Sequence, residues 1–231
     1  MINENSSLRR LPRKLGANQI VFFDALRISA EIANLAYNDL LRNLEILSLK
    51  TDRHESTIFV DTVRHSWTFI DSVHRFRIVL QQAPGIKHNH IYKLFMRQTE
   101  DVTGMRNNAQ HLNQELVGIS KRGQGAYGTL TWVLGKGDTD VPQPMILNIG
   151  TAYGRIVGPE TDFLERLPEN QINKIRLELA SHYLILSEIY KHLDTMVRSL
   201  EATMSDFAKD QNTYNSDQFI KFELKPITEP N

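Results

Sequence analysis

The six-residue segment Arg106–His111, with the sequence RNNAQH, combines side chains that can act on a phosphodiester. Arg106 carries a permanent cation whose planar guanidinium can hold a phosphate oxygen through paired hydrogen bonds. His111 carries an imidazole, which can accept or donate a proton near neutral pH. Cleavage of RNA by its own ribose 2′-hydroxyl needs a proton acceptor, a proton donor and a charge clamp. The segment therefore predicts phosphodiester chemistry.

The same residues resemble the Arg-x4-6-His signature of the HEPN superfamily, in which a polar residue, often Asn, directly follows the arginine, as Asn107 does here. HEPN proteins are small α-helical bundles, and in active members two copies of the motif meet across a dimer interface to cut RNA without a metal. The resemblance implies that Arg106 stabilises charge on the phosphate, that His111 acts as general base or acid, and that Asn107 positions either of them. It also implies a homodimer, because a twofold axis supplies a second histidine, and a setting in prokaryotic toxin–antitoxin or antiviral defence systems.

The spacing of the motif sets a condition on this interpretation. On a straight α-helix, at roughly 100° per residue, Arg106 and His111 would diverge by about 140°. Convergence therefore requires a bend, for which Gly104 is the predicted place, or a partner chain. Arg176 and His182 also fit Arg-x5-His, but we expect them within a strongly periodic helix and take that match as chance. The alternative is an arginine and a histidine that are solvated or ion-paired on a helix.

Basic and aromatic residues after the motif are candidate RNA contacts. Lys121 and Arg122 follow it by about ten positions and are predicted to track the phosphate backbone. Tyr127 or Trp132 could stack a base, although a tryptophan at strand spacing is more often a core residue. The basic cluster before the first helix, which is most often a solvated terminus, contains Arg9, Arg10, Arg13 and Lys14.

Other patterns that could carry chemistry fail in context. The Gly123-x-Gly125-x-x-Gly128 pattern precedes a predicted strand, so no helix N-terminus follows to bind a pyrophosphate. His88 and His90 have no third ligand nearby in sequence. Pairs of a carboxylate and a histidine at helical spacing, such as Asp71 with His74, are predicted to be exposed pairs. We expect no metal site and no cofactor.

Composition limits the classes of protein that this chain can represent. Its 231 residues suffice for one well-buried core. Lys plus Arg and Asp plus Glu number 27 each, so any attraction to nucleic acid or membranes must be local. The absence of cysteine excludes disulfides and thiolate metal sites and suits a reducing compartment. No stretch approaches the ~20 apolar residues of a membrane span. We predict a soluble, cytoplasmic protein.

Hydrophobic periodicity predicts a mainly α protein. Apolar stripes at steps of three to four residues predict helices over about 18–49, 55–82, 90–116 and 169–209. Two segments rich in β-branched and aromatic residues, 127–134 and 145–149, predict an inserted β-hairpin. The expected organisation is a basic N-terminal arm (1–17), a single domain (18–210) with the hairpin insertion at about 118–158, and a polar tail (211–231).

Four long helices with short connections favour an up-and-down helical bundle, because each apolar stripe must be buried against another. The leading functional hypothesis is a dimeric HEPN-like protein that cleaves or binds RNA, with an antitoxin or another protein as a further candidate partner. The competing hypothesis is a noncatalytic helical scaffold or interaction module that oligomerises or docks a partner through its hairpin. A small-molecule enzyme is the third.

Overall fold

The computed structural model describes residues 1–49, 56–121, 125–136, 142–148, 150, 168–209, 212–214, 216–219 and 221. Within these residues the protein is mainly helical and carries one four-stranded antiparallel sheet. The mainly α class predicted from the sequence is confirmed at this level. None of the described helices is both long and apolar enough to cross a membrane.

The two long helices predicted first, α1 (Ala17–Leu49) and α2 (Ser56–Gln82), pack along each other. Ala30 and Ala33 of α1 are buried in the core. Phe69 and Phe76 of α2 are fully buried in the same core. Full burial of each such side chain stabilises the fold by about 1.5–3 kcal/mol. The α1–α2 pair therefore forms a stable part of the core, on which α4 packs.

The third predicted helix, expected over about 90–116, is interrupted twice. It forms α3 (His90–Gln98), α4 (Asp101–Gln110) and α5 (Leu112–Lys121). The first break is at Thr99, a buried residue whose hydroxyl contacts the Arg77 guanidinium and the Phe95 carbonyl. The second is at His111, which has non-helical backbone angles. The helix is therefore not interrupted at Gly104, where the bend was expected. It is interrupted at Thr99, five residues earlier, and at His111, seven residues later.

The predicted β-hairpin is present as β1 (Thr129–Leu134) and β2 (Gln143–Asn148), which pair antiparallel. The expected helix over 169–209 is wrong in its first part, where β3 (Ile172–Leu179) and β4 (His182–Ile185) complete a sheet of order β2-β1-β3-β4. The final helix, α6, starts only at Leu186 and runs to Ala208.

The buried residues of β3 explain this difference. Ile175, Leu177 and Leu179 are fully buried and alternate with less buried residues, which is the period of a strand. The apolar residues at 172, 175 and 179 also fit helical spacing, so the local sequence is compatible with a helix or a strand. Pairing with β1 selects the strand. Arg176 and His182, the second Arg-x5-His match, therefore lie on neighbouring strands.

The N-terminal segment packs on the core, and part of the predicted C-terminal tail contacts it. Leu8, Leu11 and Leu15 are buried, although the sequence suggested a basic arm over 1–17, because apolar residues alternate there with the basic ones. Pro12 forms a β-bridge with Thr213, within the predicted tail. Residues 11–13 and the described residues 212–214 are thus joined by backbone hydrogen bonds.

Candidate functional site

Arg106 lies on α4 where this helix packs against α2, and it contacts a carboxylate of the longer helix. Its Nε donates to Oδ1 of Asp71 at 2.9 Å, and its Nη1 donates to Oε1 of Gln110 at 3.0 Å. Within the described residues, Nη2 makes no hydrogen bond, and the side chain is 27% exposed. The guanidinium is therefore oriented by the protein and keeps one edge for a ligand.

The carboxylate of Asp71 is shared between two cations. Arg75, one turn further along α2, places Nη2 2.7 Å from Oδ2 of Asp71. Burial alone would raise the pKa of Asp71, but the hydrogen bond from Arg106 and the charge of Arg75 outweigh burial and lower the pKa. Asp71 is ionised at neutral pH, and two guanidinium groups balanced by one carboxylate leave a surplus positive charge.

His74 is a buried neighbour of this ion-pair group. Its Nδ1 lies 3.4 Å from the Thr103 hydroxyl on α4. Burial and then the charge of Arg106 lower the pKa of His74, so this imidazole is neutral at pH 7. The expectation that Asp71 and His74 form an exposed pair is wrong for His74, which is buried beneath α4, whereas the Asp71 side chain remains 36% exposed and pairs with the two arginines. Their i,i+3 spacing was the signal that both lie on one face.

His111 occupies the other end of the same short helix. It ends α4, its backbone N–H donates to the Asn107 carbonyl at 3.0 Å, and its own carbonyl accepts from Gln114 N–H at 2.8 Å. Its side chain is exposed, as is that of Asn107, and neither makes a side-chain hydrogen bond or ion pair within the described residues. Arg106 and His111 share one short helix, and no hydrogen bond joins them in a single copy.

The predicted RNA contacts have different outcomes. Lys121 is exposed at the last residue of α5, whereas Arg122 lies outside the described residues. Trp132 is buried on β1 and donates its Nε1–H to the Ser48 hydroxyl at 2.8 Å, so it is a core residue and no stacking surface. Tyr127 is exposed.

A groove of about 640 Å³ lies between α2 and α4, with Arg106 on its border. We call it the Trp67 groove. Its apolar walls come from both helices and from the turn before β1, and they include Val60, Val63, Trp67, Ala109 and Tyr127. Arg64, which is paired with Asp61 at 3.1 Å, contributes a second guanidinium group. Trp67 recurs with Val63 and Ile70 at helical spacing along α2, but unlike these two residues it is only partly buried.

Two contacts fix the turn that closes the Trp67 groove. The Trp67 Nε1–H donates to the Tyr127 carbonyl at 3.1 Å. Gly128 has φ = +93°, and a Cβ at this position would lie 2.6 Å from the backbone oxygen of Glu178 on β3. Only glycine fits there, so the sheet holds Tyr127 over the groove.

A second groove, of about 460 Å³, lies on the other side of Arg106 between α1 and α2. It is lined by Ile28 and Ile32 of α1 and by His74 and Arg75 of α2. Val21, Ile28, Ile32 and Leu35 are all exposed, and their spacing places them on one face of α1. We call this face the α1 stripe. Arg106 thus lies between an aromatic groove and an exposed apolar face.

No family model, curated protein or solved structure matches this chain. In the part of the chain that the structure describes, no group of three or more histidine, aspartate or glutamate side chains is placed to hold a metal ion. The arrangement of the site can bind an anion at Arg106 and transfer a proton at an exposed imidazole.

Proposed function

We propose that this chain is a HEPN-like, metal-independent ribonuclease whose site combines Arg106, Asn107 and His111 from two copies of the protein. The observation that carries the proposal is the incomplete neutralisation of Arg106, which shares the Asp71 carboxylate with Arg75. A surplus cation with an available N–H edge suits a phosphate ligand. The same helix ends at an exposed imidazole.

The chemistry assigns one role to each group. One imidazole of His111 accepts the proton of the ribose 2′-hydroxyl, and the oxygen attacks the adjacent phosphorus. The imidazole from the second copy donates a proton to the departing 5′ oxygen, so the products are a 2′,3′-cyclic phosphate and a free 5′-hydroxyl. Arg106 stabilises the charge on the phosphorane oxygens. Asn107 orients the phosphate or the imidazole, and Lys121 and Arg122 contact the strand beyond the cleavage point.

The α1 stripe supports the homodimer on which this chemistry depends. Exposed apolar residues that line one helix face mark protein interfaces when they form a continuous patch. The second groove joins the α1 stripe to Arg106. A twofold contact between two α1 stripes would therefore bring both copies of Arg106 towards one cleft.

The wider setting follows from the same resemblance. The helices would form an up-and-down bundle with the hairpin as an insertion, in a cytoplasmic protein of a toxin–antitoxin or antiviral defence system. An antitoxin would be the natural protein partner. The α1 stripe also favours the competing function, a noncatalytic scaffold, because the same exposed face could serve assembly alone.

The proposal is tested by incubating single-stranded RNA with purified protein in excess EDTA. We expect cleavage that ends in 2′,3′-cyclic phosphates, that fails on the 2′-deoxy analogue, and that His111→Asn abolishes. His90→Asn is the matched control, because His90 is also an exposed histidine at a helix end, outside the motif. Equal cleavage by the two variants would remove His111 from the mechanism, and no cleavage by any preparation would favour the scaffold.

The dimer is tested separately by light scattering. Leu35 and Val60 are 62% and 60% exposed on the two long helices, but only Leu35 belongs to the α1 stripe. We expect Leu35→Asp to yield a monomer without cleavage activity and Val60→Asp to remain a dimer. A fully active Leu35→Asp monomer would contradict the composite site.

A further inference from the structure

We propose that the Trp67 groove binds one unpaired base of single-stranded RNA, with the phosphate next to that base on Arg106. This inference deepens the proposed function and depends on it for the choice of RNA as the ligand. It assigns a substrate class, a strand with at least one unstacked nucleotide near the cleavage point. It also assigns a task to Trp67 and Tyr127.

The shape and the lining of the groove fit a flat aromatic ligand. Its volume of about 640 Å³ lies within the ~300–1,000 Å³ of small-ligand sites. The indole of Trp67 is held by its hydrogen bond to the Tyr127 carbonyl, and the Tyr127 ring is exposed beside it. Every nucleobase has a π-face that can stack on such rings, whatever the sequence.

The charges around the groove fit the rest of a nucleotide. Arg64 and Arg106 both line it, and Arg106 keeps an N–H edge for an anionic oxygen. Gln110 accepts a hydrogen bond from Arg106 through Oε1, which leaves its amide NH2 to donate to a base edge. An apolar peptide would fill the walls but would leave this surplus cation without a partner. A nucleotide supplies a ring for the walls and an anion for the arginine.

The same features distinguish a single strand from a duplex. In an A-form helix both faces of each base are covered by its neighbours, and side chains cannot reach into the deep, narrow major groove. A base can enter a groove between two helices only after it leaves its stack. The site therefore selects loops, bulges and single strands.

Tryptophan fluorescence reports occupancy of this groove directly. The chain has two tryptophans, and Trp132 is buried in the core with its indole N–H bonded to Ser48. The probe is a single-stranded oligouridine of about ten nucleotides, with 2′-fluoro groups in place of the 2′-hydroxyls so that it cannot be cleaved. We expect saturable quenching by this probe, and none by its duplex or by an abasic ribose-phosphate strand of equal length. Trp67→Phe keeps an aromatic ring and should bind the probe without quenching.

A matched tyrosine pair measures the contribution of stacking. Tyr127 and Tyr183 are 57% and 54% exposed, but only Tyr127 lines the groove. We expect Tyr127→Ala to weaken probe binding about tenfold and Tyr183→Ala to change it less than about twofold. Equal effects of the two variants, equal binding of the abasic strand, or quenching that persists in Trp67→Phe would each overturn the base site.

The design separates this inference from the proposed function, because the probe measures binding alone. Base-dependent quenching without cleavage of the matching 2′-hydroxyl RNA would support the groove assignment and remove the catalytic claim. Cleavage of the 2′-hydroxyl RNA, together with equal binding of the oligouridine and the abasic strand, would support the catalytic claim and overturn the groove assignment. If Tyr127→Ala dissociates the dimer and leaves RNA affinity unchanged, the groove is a contact between copies, and the base site is overturned.

Discussion

Two arginines of this chain bind carboxylates from distant parts of the sequence, and they differ in how completely their charge is neutralised. Arg27 on α1 has a side chain that is only 3% exposed. Both of its terminal nitrogens donate to Asp217, at 2.6 and 3.0 Å, and Glu31 accepts from it at 3.2 Å. Arg9 adds a second cation to Asp217 at 2.8 Å. Asp24 completes a group in which three carboxylates surround two guanidinium groups.

Arg106 has the opposite balance, because it and Arg75 share the single carboxylate of Asp71, and its side chain is 27% exposed. A buried arginine whose two terminal nitrogens both donate to carboxylates joins parts of a fold, and the remaining Nε of Arg27 is enclosed, out of reach of a ligand. A partly exposed guanidinium with a surplus of positive charge can bind an anionic oxygen. The Arg27 cluster therefore has the charge balance of a structural group, whereas the Arg106 cluster is the one that we propose to bind RNA.

The largest expected effect on stability is at Arg27. Arg27→Met removes the buried cation of this cluster and leaves Arg9 as the cation that still contacts Glu31 and Asp217. We expect the free energy of unfolding to fall by about 2 kcal/mol, less than for a fully buried pair, because Arg9 remains and Asp217 is half exposed. Arg106→Met should lower it by only about 1 kcal/mol, since Asp71 keeps Arg75. Urea denaturation of both variants measures the difference. Equal losses would show that the two arginines have the same role.

Asp71→Asn tests whether the charge balance around Arg106 affects RNA binding. The change removes the anion that balances Arg75 and Arg106, so the local positive charge increases by one. We expect the dependence of log K on log salt for the uncleavable RNA probe to become steeper by about 0.7, with a loss of about 1 kcal/mol in stability. Asp194→Asn is the control, because Asp194 pairs with Arg198 on α6. An unchanged salt dependence in Asp71→Asn would place Arg106 outside the RNA site.

Asp217 gives the structural cluster a pH dependence of known sign. The hydrogen bond from Arg27 lowers the pKa of Asp217 in the folded protein. Its contribution to stability is therefore fully present above the unfolded-state pKa, near 3.9, and is lost as the pH falls through the lower folded-state pKa. We expect wild-type protein to lose more stability than Asp217→Asn between about pH 4.5 and 3, by ~1 kcal/mol or less because the carboxylate is half exposed. Identical pH profiles from urea titrations would contradict this assignment.

The smallest expected effect is that of His111→Asn on stability. His111 is exposed and makes no side-chain hydrogen bond within the described residues, so its replacement should shift the free energy of unfolding by less than about 0.5 kcal/mol. Thermal and urea unfolding both report it. A loss several times larger would mean that the imidazole supports the junction of α4 and α5, and its effect on cleavage would then need a structural explanation.

Local patterns predicted the parts of the fold whose neighbours are close in sequence. The stripes of α1 and α2 and the β-branched and aromatic composition around β1 and β2 are visible without a partner. The identity of β3 depends on pairing with β1 some forty residues earlier, and its apolar spacing fits two periods. The break at Thr99 depends on Arg77 from another helix. Residues distant in sequence therefore determine the structure of β3 and the position of this break, and local sequence patterns do not reveal such contacts.

The candidate site also has features that the sequence shows and features that only the tertiary structure shows. The chemical types of Arg106, Asn107 and His111 are visible in the sequence, as is the possibility that Tyr127 stacks a base. The sharing of Asp71 between two arginines, the burial of His74 and the partial exposure of Trp67 all arise where α4 packs on α2. Residue types were therefore predictable, whereas their charge balance required the tertiary contacts.

The most direct test of the account is the rate of RNA cleavage in EDTA by Arg106→Met and Arg27→Met, measured under conditions in which both are fully folded by circular dichroism. We predict that Arg106→Met loses cleavage by at least about a hundredfold, as expected when a group that stabilises transition-state charge is removed. Arg27→Met should cleave at close to the wild-type rate. Wild-type cleavage by folded Arg106→Met would contradict the claim that the incompletely neutralised arginine is the functional one.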